Sequence, residues 1–284
     1  MIIYAGLTDI GRIRETNEDA FGIDPKIGLM VVADGLGGHQ AGDVASTFVV
    51  ENLPRQLAMG RAAGMEDTQG ANQLLRQSLL IITEQLHDMG RATPEYDGMG
   101  ATVVAGLATD TTLLIAHLGD SRAYRLRDGI LEQMTQDHNL GNDLRDNGVI
   151  RSDAEDMPEY HTLRRFMGMD KPLPPDIAAF DLRERDRFLL CSDGLTNMLD
   201  DTDISDILMC ETSCKETCLQ LVARANQAGG YDNITVVVAD VQSTHADNES
   251  RDEAAEKMKQ MDIHEVPWGQ ITPEGMARDR LQKG

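Results

Sequence analysis

Residues 100–134 read GATVVAGLATDTTLLIAHLGDSRAYRLRDGILEQM, and this stretch decides the fold. Its short apolar runs are separated by polar or glycine-containing turns, a pattern that predicts several consecutive β-strands. Asp128-Gly129 is a dipeptide typical of tight β-hairpins. Links this short join antiparallel strands, because a parallel crossover needs a dozen or more residues. The stretch therefore predicts an antiparallel sheet.

Two of these runs, ATVVAGLA (101–108) and LLIAHL (113–118), are almost continuously apolar. An antiparallel strand with one face in water alternates apolar and polar residues, and these strands do not. Strands that are apolar on both faces lie between two layers of structure. We therefore predict two packed, mainly antiparallel sheets with helices on their outer faces, a fold of the α/β (α+β) class.

The rest of the chain supplies further strands and amphipathic helices. Apolar spacing predicts strands at 2–7, 20–24, 28–34, 177–182, 186–191 and 233–241, and helices at 42–57, 74–89, 202–209 and 214–227. Residues 136–176 are polar and irregular and form a predicted insertion. After Val241 the composition becomes polar and charged, so 242–284 is predicted to be a C-terminal linker or tail outside a 1–241 globular domain. A disordered extension and a partner-binding segment are both open for this tail.

Composition restricts the class of function. The chain has 284 residues, of which 41% are hydrophobic, enough for a substantial core. Its formal net charge of −22 argues against nucleic acid and against an anionic membrane surface as partners. The start, MIIYAGLTDIGRIRE, lacks the pattern of a signal peptide, and no apolar run approaches the ~20 residues of a membrane span. A cytoplasmic protein is expected.

The cysteines do not indicate a zinc site or a thiol nucleophile. CETSCKETC (210–218) places three thiols four residues apart, which fits no common zinc spacing. CLQLVAR (218–224) matches Cys-x5-Arg, but its interior is apolar and has no glycine to expose backbone N–H groups to a phosphate. A P-loop and a GxSxG serine elbow are also absent from the sequence.

Four aspartates, Asp34, Asp120, Asp193 and Asp232, each lie at the edge of an apolar run. Any one of them is explained as an ordinary turn residue. Strand ends that meet at one rim of a sandwich would crowd all four carboxylates, which cannot all stay ionised without cations. Oxygen ligands select hard ions such as Mg²⁺ or Mn²⁺. The set as a whole favours a metal site.

RIRETNED (12–19) adds Arg14 in front of the acidic pair Glu18-Asp19. A guanidinium fork beside metals would hold an anion. A surface salt bridge explains the same residues equally well. Both interpretations stay open from this motif alone.

Seven motifs, kept in order, resemble the type 2C (PPM) family of metal-dependent Ser/Thr protein phosphatases, and most of all its bacterial branch. They span residues 8–241 and read TDIGRIRETNED, VVADGLGGH, GMGATVV, HLGDSRAYRLRDG, TQDHNL, LLCSDGLTNML and GGYDNITVVV. The resemblance implies a four-layer αββα sandwich with a metal centre at one end. This agrees with the layers predicted from the apolar runs.

The resemblance also implies metal ligands. Two Mn²⁺ or Mg²⁺ ions form the core site, and a third ion is described in bacterial relatives. Asp34 would bridge the two ions and the Gly35 carbonyl would bind the second. Asp193 and Asp232 would complete the ligands of the first ion. Glu18 would bind near the second ion, directly or through a water, and Asp120 together with Asp193 would bind the third ion.

Other residues would take catalytic roles by the same resemblance. Arg14 would bind the substrate phosphate, and Asp19 would orient a water. Eukaryotic members carry a histidine, a proposed general acid, where this chain has Leu36. His39 is the nearest substitute, and a merely structural His39 is the alternative. Residues 136–176 would form a mobile flap beside the site.

The implied reaction is hydrolysis of phosphoserine and phosphothreonine in proteins by a water that bridges the metals, without a phosphoenzyme. Two alternatives remain: a non-catalytic regulatory module of the same fold, and a phosphohydrolase of small phosphates. A module that had lost its centre should lack a metal carboxylate, whereas Asp34, Asp193 and Asp232 are all present. The expected partners are phosphorylated Ser/Thr proteins, with a cognate Ser/Thr kinase and its substrates, and the expected state is a monomer.

Overall fold

The computed structural model describes residues 1–37, 41–61, 67–149 and 158–242. Its strands are β1 (Ile2–Asp9), β2 (Asp19–Asp24), β3 (Leu29–Leu36), β4 (Gly100–Ala101), β5 (Val103–Ala108), β6 (Thr112–Leu118), β7 (Arg122–Arg127), β8 (Ile130–Gln133), β9 (Asp176–Asp181), β10 (Arg187–Cys191) and β11 (Ile234–Val241). Its α-helices are α1 (Gly42–Arg61), α2 (Thr68–Ala92), α3 (Leu140–Asp146), α4 (Asp193–Thr196), α5 (Asp201–Met209) and α6 (Cys214–Ala228).

Two sheets organise these strands. One sheet has the order β1-β11-β10-β7-β8, and the other has the order β2-β3-β5-β6-β9, with the short β4 paired to β3. Each pairing between these strands is antiparallel, as the short links predict. Asp128 and Gly129 both have positive φ, 51° and 76°, and connect β7 to β8 as the hairpin dipeptide predicts.

Three hydrophobic cores separate four layers. Val31 of β3 packs with α1 and α2, while its neighbour Val32 packs between the two sheets. In the same way Val236 packs against α6, and Val237 packs between the sheets. Because successive side chains of a strand point to opposite faces, a strand between two cores is apolar at every position. The predicted αββα sandwich is confirmed.

Element boundaries differ from the prediction where polar contacts decide them. β3 continues two residues past Asp34, because Gly35 and Leu36 pair with Ala101 and Gly100. α2 begins at Thr68 rather than at residue 74, since the Asp67 side chain caps it by accepting from the Gly70 N–H at 2.7 Å. The start of a helix depends on such caps more than on its apolar stripe.

The 136–176 insertion contains only α3 and a 3-10 turn, Pro158–His161, within its described residues. The predicted tail lies outside the described residues from position 243 onward. Among the helices of the described ranges, none combines the length and the hydropathy that a bilayer crossing requires.

Candidate active site

Asp19 and Asp34 are brought together by strand register. β2 and β3 pair so that Asp19 lies directly opposite Asp34. The Gly35 N–H donates to the Glu18 carbonyl at 3.1 Å, which extends this pairing past the strand end. The two motifs RETNED and VVADG therefore form one acidic edge of a sheet.

Glycines allow the backbone to close tightly behind Asp34. A methyl group at Gly35 would overlap the carbonyl of Gly42, and one at Gly42 would overlap Oε2 of Glu18. Glu18 therefore lies against the first residue of α1. The DG dipeptide is therefore not a turn: it lies within β3, and its glycine lets the start of α1 approach the acidic edge closely.

The other sheet contributes Asp193 and Asp232. Asp193 is the first residue of α4, two residues after the end of β10, and Asp232 lies two residues before the adjacent β11. Asn197 Nδ2 donates to Oδ2 of Asp193 at 3.0 Å. The negative charge of Asp193 helps to raise the pKa of Asp34, so the carboxylates from the two sheets interact. The strand ends of the two sheets therefore meet at these carboxylates, as the sequence predicts.

Asp120 lies on the three-residue link between β6 and β7, which carries the chain from one sheet to the other. Burial raises its pKa to about 8, and the negative charge of Asp193 adds to the effect. Asp120 therefore belongs to the same electrostatic cluster.

Burial and mutual repulsion act on the whole cluster. They raise the pKa of Asp19 to about 7, and they raise the pKa values of Asp34 and Asp193 as well. Oδ1 of Asp193 is buried and has no hydrogen-bond partner among the described residues. A buried carboxylate oxygen without a donor, in a set of oxygen ligands only, fits hard divalent cations.

Arg14 lies at the outer edge of this cluster. Its Nη2 donates to Oδ2 of Asp232 at 2.7 Å, and about half of its side chain remains exposed. The structure therefore shows the salt bridge and also leaves the guanidinium open to an incoming anion. Both interpretations of this motif are compatible with the geometry.

Asn233 holds the Arg14 loop, although the sequence analysis assigned it no role. Its Oδ1 accepts from the Glu18 N–H at 2.8 Å, and its Nδ2 donates to the carbonyls of Ile10 and Thr16. The side chain thereby ties residues 10–18 to the start of β11. In the sequence, this role was indicated by the position of a polar residue directly after Asp232.

Thr102 and Ser192 support the carboxylates from inside the protein. Thr102 Oγ1 accepts from the Asp34 N–H at 3.2 Å and also bonds Ser121 Oγ. Ser192 Oγ donates to Oδ2 of Asp19 at 2.7 Å and accepts from the Thr235 N–H. Both residues are fully buried. Both residues lie within the motifs GMGATVV and LLCSDGLTNML, but a single Ser or Thr in a motif does not indicate which group it will bond.

Two expectations fall wholly or partly outside the described residues. His39 is not among them, so its role as a general acid stays a prediction. Leu36, which stands where eukaryotic members carry a histidine, is described: it is the last residue of β3, four residues after the fully buried Val32. Residues 150–157 of the predicted flap are also outside, and its mobility stays a prediction.

The family profile described as Protein phosphatase 2C matches residues 12–217 of this chain. The chain belongs to the protein phosphatase 2C family. The matched range includes Arg14, Asp34, Asp120 and Asp193. The serine/threonine phosphatase stp of Listeria welshimeri is 36% identical to this chain in an alignment that covers 82% of this chain and 93% of that protein.

Solved structures of phosphatases share the fold. The serine/threonine phosphatase of S. agalactiae superposes with a TM-score of 0.80 at 32% identity, over 85% of this chain and all of that chain. The Mycobacterium tuberculosis phosphatase PstP superposes with a TM-score of 0.74 at 33% identity, over 85% of this chain and 99% of that chain. A structure of the PstP catalytic domain contains two manganese ions.

Proposed function

We propose that this chain hydrolyses phosphoserine and phosphothreonine in proteins, and that the reaction requires Mn²⁺ or Mg²⁺. The observation that carries the proposal is that Asp34 and Asp193, one from each sheet, interact within one buried acidic cluster, and that Oδ1 of Asp193 is buried without a hydrogen-bond partner among the described residues. Membership of the protein phosphatase 2C family supports the same conclusion.

The proposed ligands of the core ions are Asp34, the Gly35 carbonyl, Glu18, Asp193 and Asp232. Asp120, together with Asp193, is the proposed site of a third ion. Divalent ions bound there would neutralise the carboxylates and supply a water of lowered pKa as the nucleophile.

The remaining groups would orient the reactants. The exposed face of the Arg14 guanidinium would hold two phosphate oxygens and stabilise their charge as the phosphorus is attacked. Asp19, fixed by Ser192, would accept a hydrogen bond from the attacking water and orient it. We propose that water attacks directly, without a phosphoenzyme. The proton for the departing Ser or Thr oxygen would come from His39 or from a water.

The rim of the site favours a protein substrate over a small phosphate. Ile13 and Tyr231 keep 63% and 62% of their surfaces exposed. Arg12 N–H donates to the Gly230 carbonyl, and Arg14 bonds Asp232, so the two apolar residues lie on adjacent segments beside the acidic cluster. Exposed apolar groups at this place suit the residues next to a phosphoserine or phosphothreonine.

The proposal is tested with purified full-length protein on phosphopeptides, nucleotides and p-nitrophenyl phosphate, with Mn²⁺ or with EDTA. We expect Mn²⁺-dependent hydrolysis with preference for phosphopeptides. Asp193→Asn should reduce kcat/KM roughly a hundredfold or more, because metal ions contribute several kcal/mol to such reactions. Asp110→Asn, at an exposed turn, is the matched control and should behave as wild type.

Full activity after EDTA treatment would overturn the metal-dependent mechanism. Preference for nucleotides would favour the small-phosphate alternative, and Mn²⁺ binding without any hydrolysis would favour the regulatory module. A chain ending at residue 242 belongs in the same assay. Equal activity is expected, because we propose that 1–241 forms the catalytic domain and that 242–284 is a tail.

We extend the proposal to the cellular setting. Phosphoproteins made by a cognate Ser/Thr kinase are the proposed substrates, and the protein is proposed to act as a monomer in the cytoplasm. The net charge of −22 supports a partner other than nucleic acid or an anionic membrane.

A further inference from the structure

Gly119, the residue before Asp120, is held at both of its backbone polar groups by His138. The Gly119 N–H donates to Nδ1 of His138 at 3.1 Å. The His138 N–H donates in return to the Gly119 carbonyl at 2.9 Å. The side-chain bond is buried, so breaking it would leave a backbone donor without water as a substitute.

The opposite side of Gly119 is closed by Thr102. Gly119 has φ of +114°, and a methyl group there would come within 2.6 Å of Cβ of Thr102. Thr102 also bonds the Asp34 backbone N–H. The link that carries Asp120 is therefore fixed between His138 on one side and a residue that supports Asp34 on the other.

These contacts determine where the ring proton of His138 is. Nδ1 accepts from Gly119, so Nε2 carries the proton and donates to Oδ2 of Asp176 at 3.0 Å. Burial lowers the pKa of His138 to about 4, which agrees with a neutral ring. The ring also stacks on His117, with 4.4 Å between centroids and 13° between planes.

Asp176 is itself fixed by Arg165. Two nitrogens of Arg165 donate to the two oxygens of Asp176 at 2.8 and 3.0 Å, and Nη2 also donates to the Pro174 carbonyl. Arg165 Nη1 lies 2.9 Å from Nε2 of His138, but both atoms carry protons, so Asp176 is the acceptor for both. The ring of His138 is thus oriented by a charged pair.

The same residues do not form a second metal centre. His117, His138 and Asp176 are close enough together to bind an ion. However, Arg165 already supplies the positive charge beside Asp176, and the bond from Gly119 keeps the proton of His138 on Nε2. The geometry fits orientation of His138 rather than metal binding.

We propose that His138 is a positioning residue that fixes Gly119 and so places the Asp120 carboxylate for binding a divalent ion. The inference rests on the proposed ligand role of Asp120. Partners that orient a metal ligand indirectly typically contribute ten- to hundredfold in affinity, and the bond from Gly119 to Nδ1 is expected to act in this way.

Two substitutions separate the two ends of the imidazole. In His138→Asn the amide oxygen takes the place of Nδ1, which keeps the bond from Gly119 and removes the contact with Asp176. In His138→Gln the amide extends toward the position of Nε2 and the bond from Gly119 is lost. The backbone bond from residue 138 to Gly119 remains in both variants.

The measurements are Mn²⁺ binding by calorimetry and hydrogen exchange of the Gly119 amide in EDTA-treated protein, both on the full chain. We expect His138→Gln to weaken the Mn²⁺ site that requires Asp120 by roughly tenfold or more and to accelerate exchange at Gly119. His138→Asn should remain close to wild type in both measurements. Thermal melts establish that each variant is folded.

Asp120→Asn distinguishes failure of this inference from failure of the proposed ligand role. Unchanged Mn²⁺ binding by Asp120→Asn would remove Asp120 as a ligand, and the inference with it. Weakened binding by Asp120→Asn, with wild-type binding by His138→Gln, would overturn the positioning role alone. Equal losses in both His138 variants would also overturn it. If His138→Gln does not fold, His138→Ala replaces it, because it also removes the acceptor of the Gly119 N–H, and unchanged Gly119 exchange there would overturn the inference.

Discussion

Tyr231 shows what a single residue adds beside a shared catalytic centre. It precedes Asp232 directly and keeps most of its ring in solvent, although a large aromatic side chain is normally at least half-buried. Ile13 is exposed on the neighbouring segment. Both residues therefore keep most of their surface available to another molecule. Contact with the substrate protein next to its phosphorylated residue would explain both.

Tyr231→Ala is therefore predicted to raise KM for phosphopeptides by about three- to tenfold, the effect of losing roughly 1 kcal/mol of apolar contact. Steady-state kinetics with p-nitrophenyl phosphate should be unchanged, since that substrate has no flanking residues. Ile130→Ala is the control, because Ile130 is 70% exposed but is the first residue of β8, just beyond the end of β7 opposite to Asp120. Equal effects on both substrates would contradict the prediction.

The contact between β3 and α1 shows how two elements shape the acidic edge. Gly35 of β3 faces the carbonyl of Gly42, the first residue of α1. Gly42 in turn faces the flexible carboxylate of Glu18. A methyl group at Gly35 would come within 2.0 Å of a backbone oxygen, which cannot move without shifting the helix. One at Gly42 would meet first the Glu18 carboxylate, which can rotate away, and its nearest backbone atom, the Gly35 carbonyl carbon, is 3.1 Å away.

Gly35→Ala is accordingly predicted to lower the free energy of unfolding by about 1–3 kcal/mol, the usual cost of overpacking. Gly42→Ala, the matched variant, should change it by less than about 1 kcal/mol. Urea denaturation of the EDTA-treated proteins measures both values. Equal stability of the two variants would show that the backbone contact is not rigid.

For the whole molecule, the joining of two sheets places several carboxylates in one buried cluster. In the metal-free protein the pKa of Asp19 is raised to about 7 and that of Asp120 to about 8, by burial first and by neighbouring charges second. An unfolded chain returns both groups to an ordinary pKa near 4. Their contribution to stability is therefore complete below about pH 4 and is lost as pH rises through 7 to 8.

The EDTA-treated protein is thus predicted to lose stability steadily between pH 5 and pH 8, with a fall in Tm of roughly 5 °C or more. Mn²⁺ added at pH 8 should restore the Tm, because cations neutralise the ionised carboxylates. Thermal melts over this pH range, with Asp120→Asn as a comparison, measure the effect. The variant should show a shallower slope, and a flat profile for the wild-type chain would contradict the prediction.

Much of the architecture follows from local patterns. The apolar runs in 101–108 and 113–118 predicted strands between two layers, and the dipeptide Asp128-Gly129 predicted the hairpin. Both are confirmed because strand periodicity and turn chemistry depend on neighbouring residues only. The boundaries of α2 and β3 were less accurate, since a capping side chain and a distant short strand determine them.

The roles of the candidate site residues stay predictions. Their positions, however, show which features of the site follow from the sequence and which follow only from the tertiary structure. By itself the sequence determined the layers and the four aspartates at strand ends, because burial and strand termination leave a continuous local pattern. Only the tertiary structure decided that Asp19 lies opposite Asp34 and that Asn233 and His138 hold the loops of the site. Those contacts join residues far apart in the chain through single hydrogen bonds, and a single polar side chain in a loop has no period from which its partner can be read.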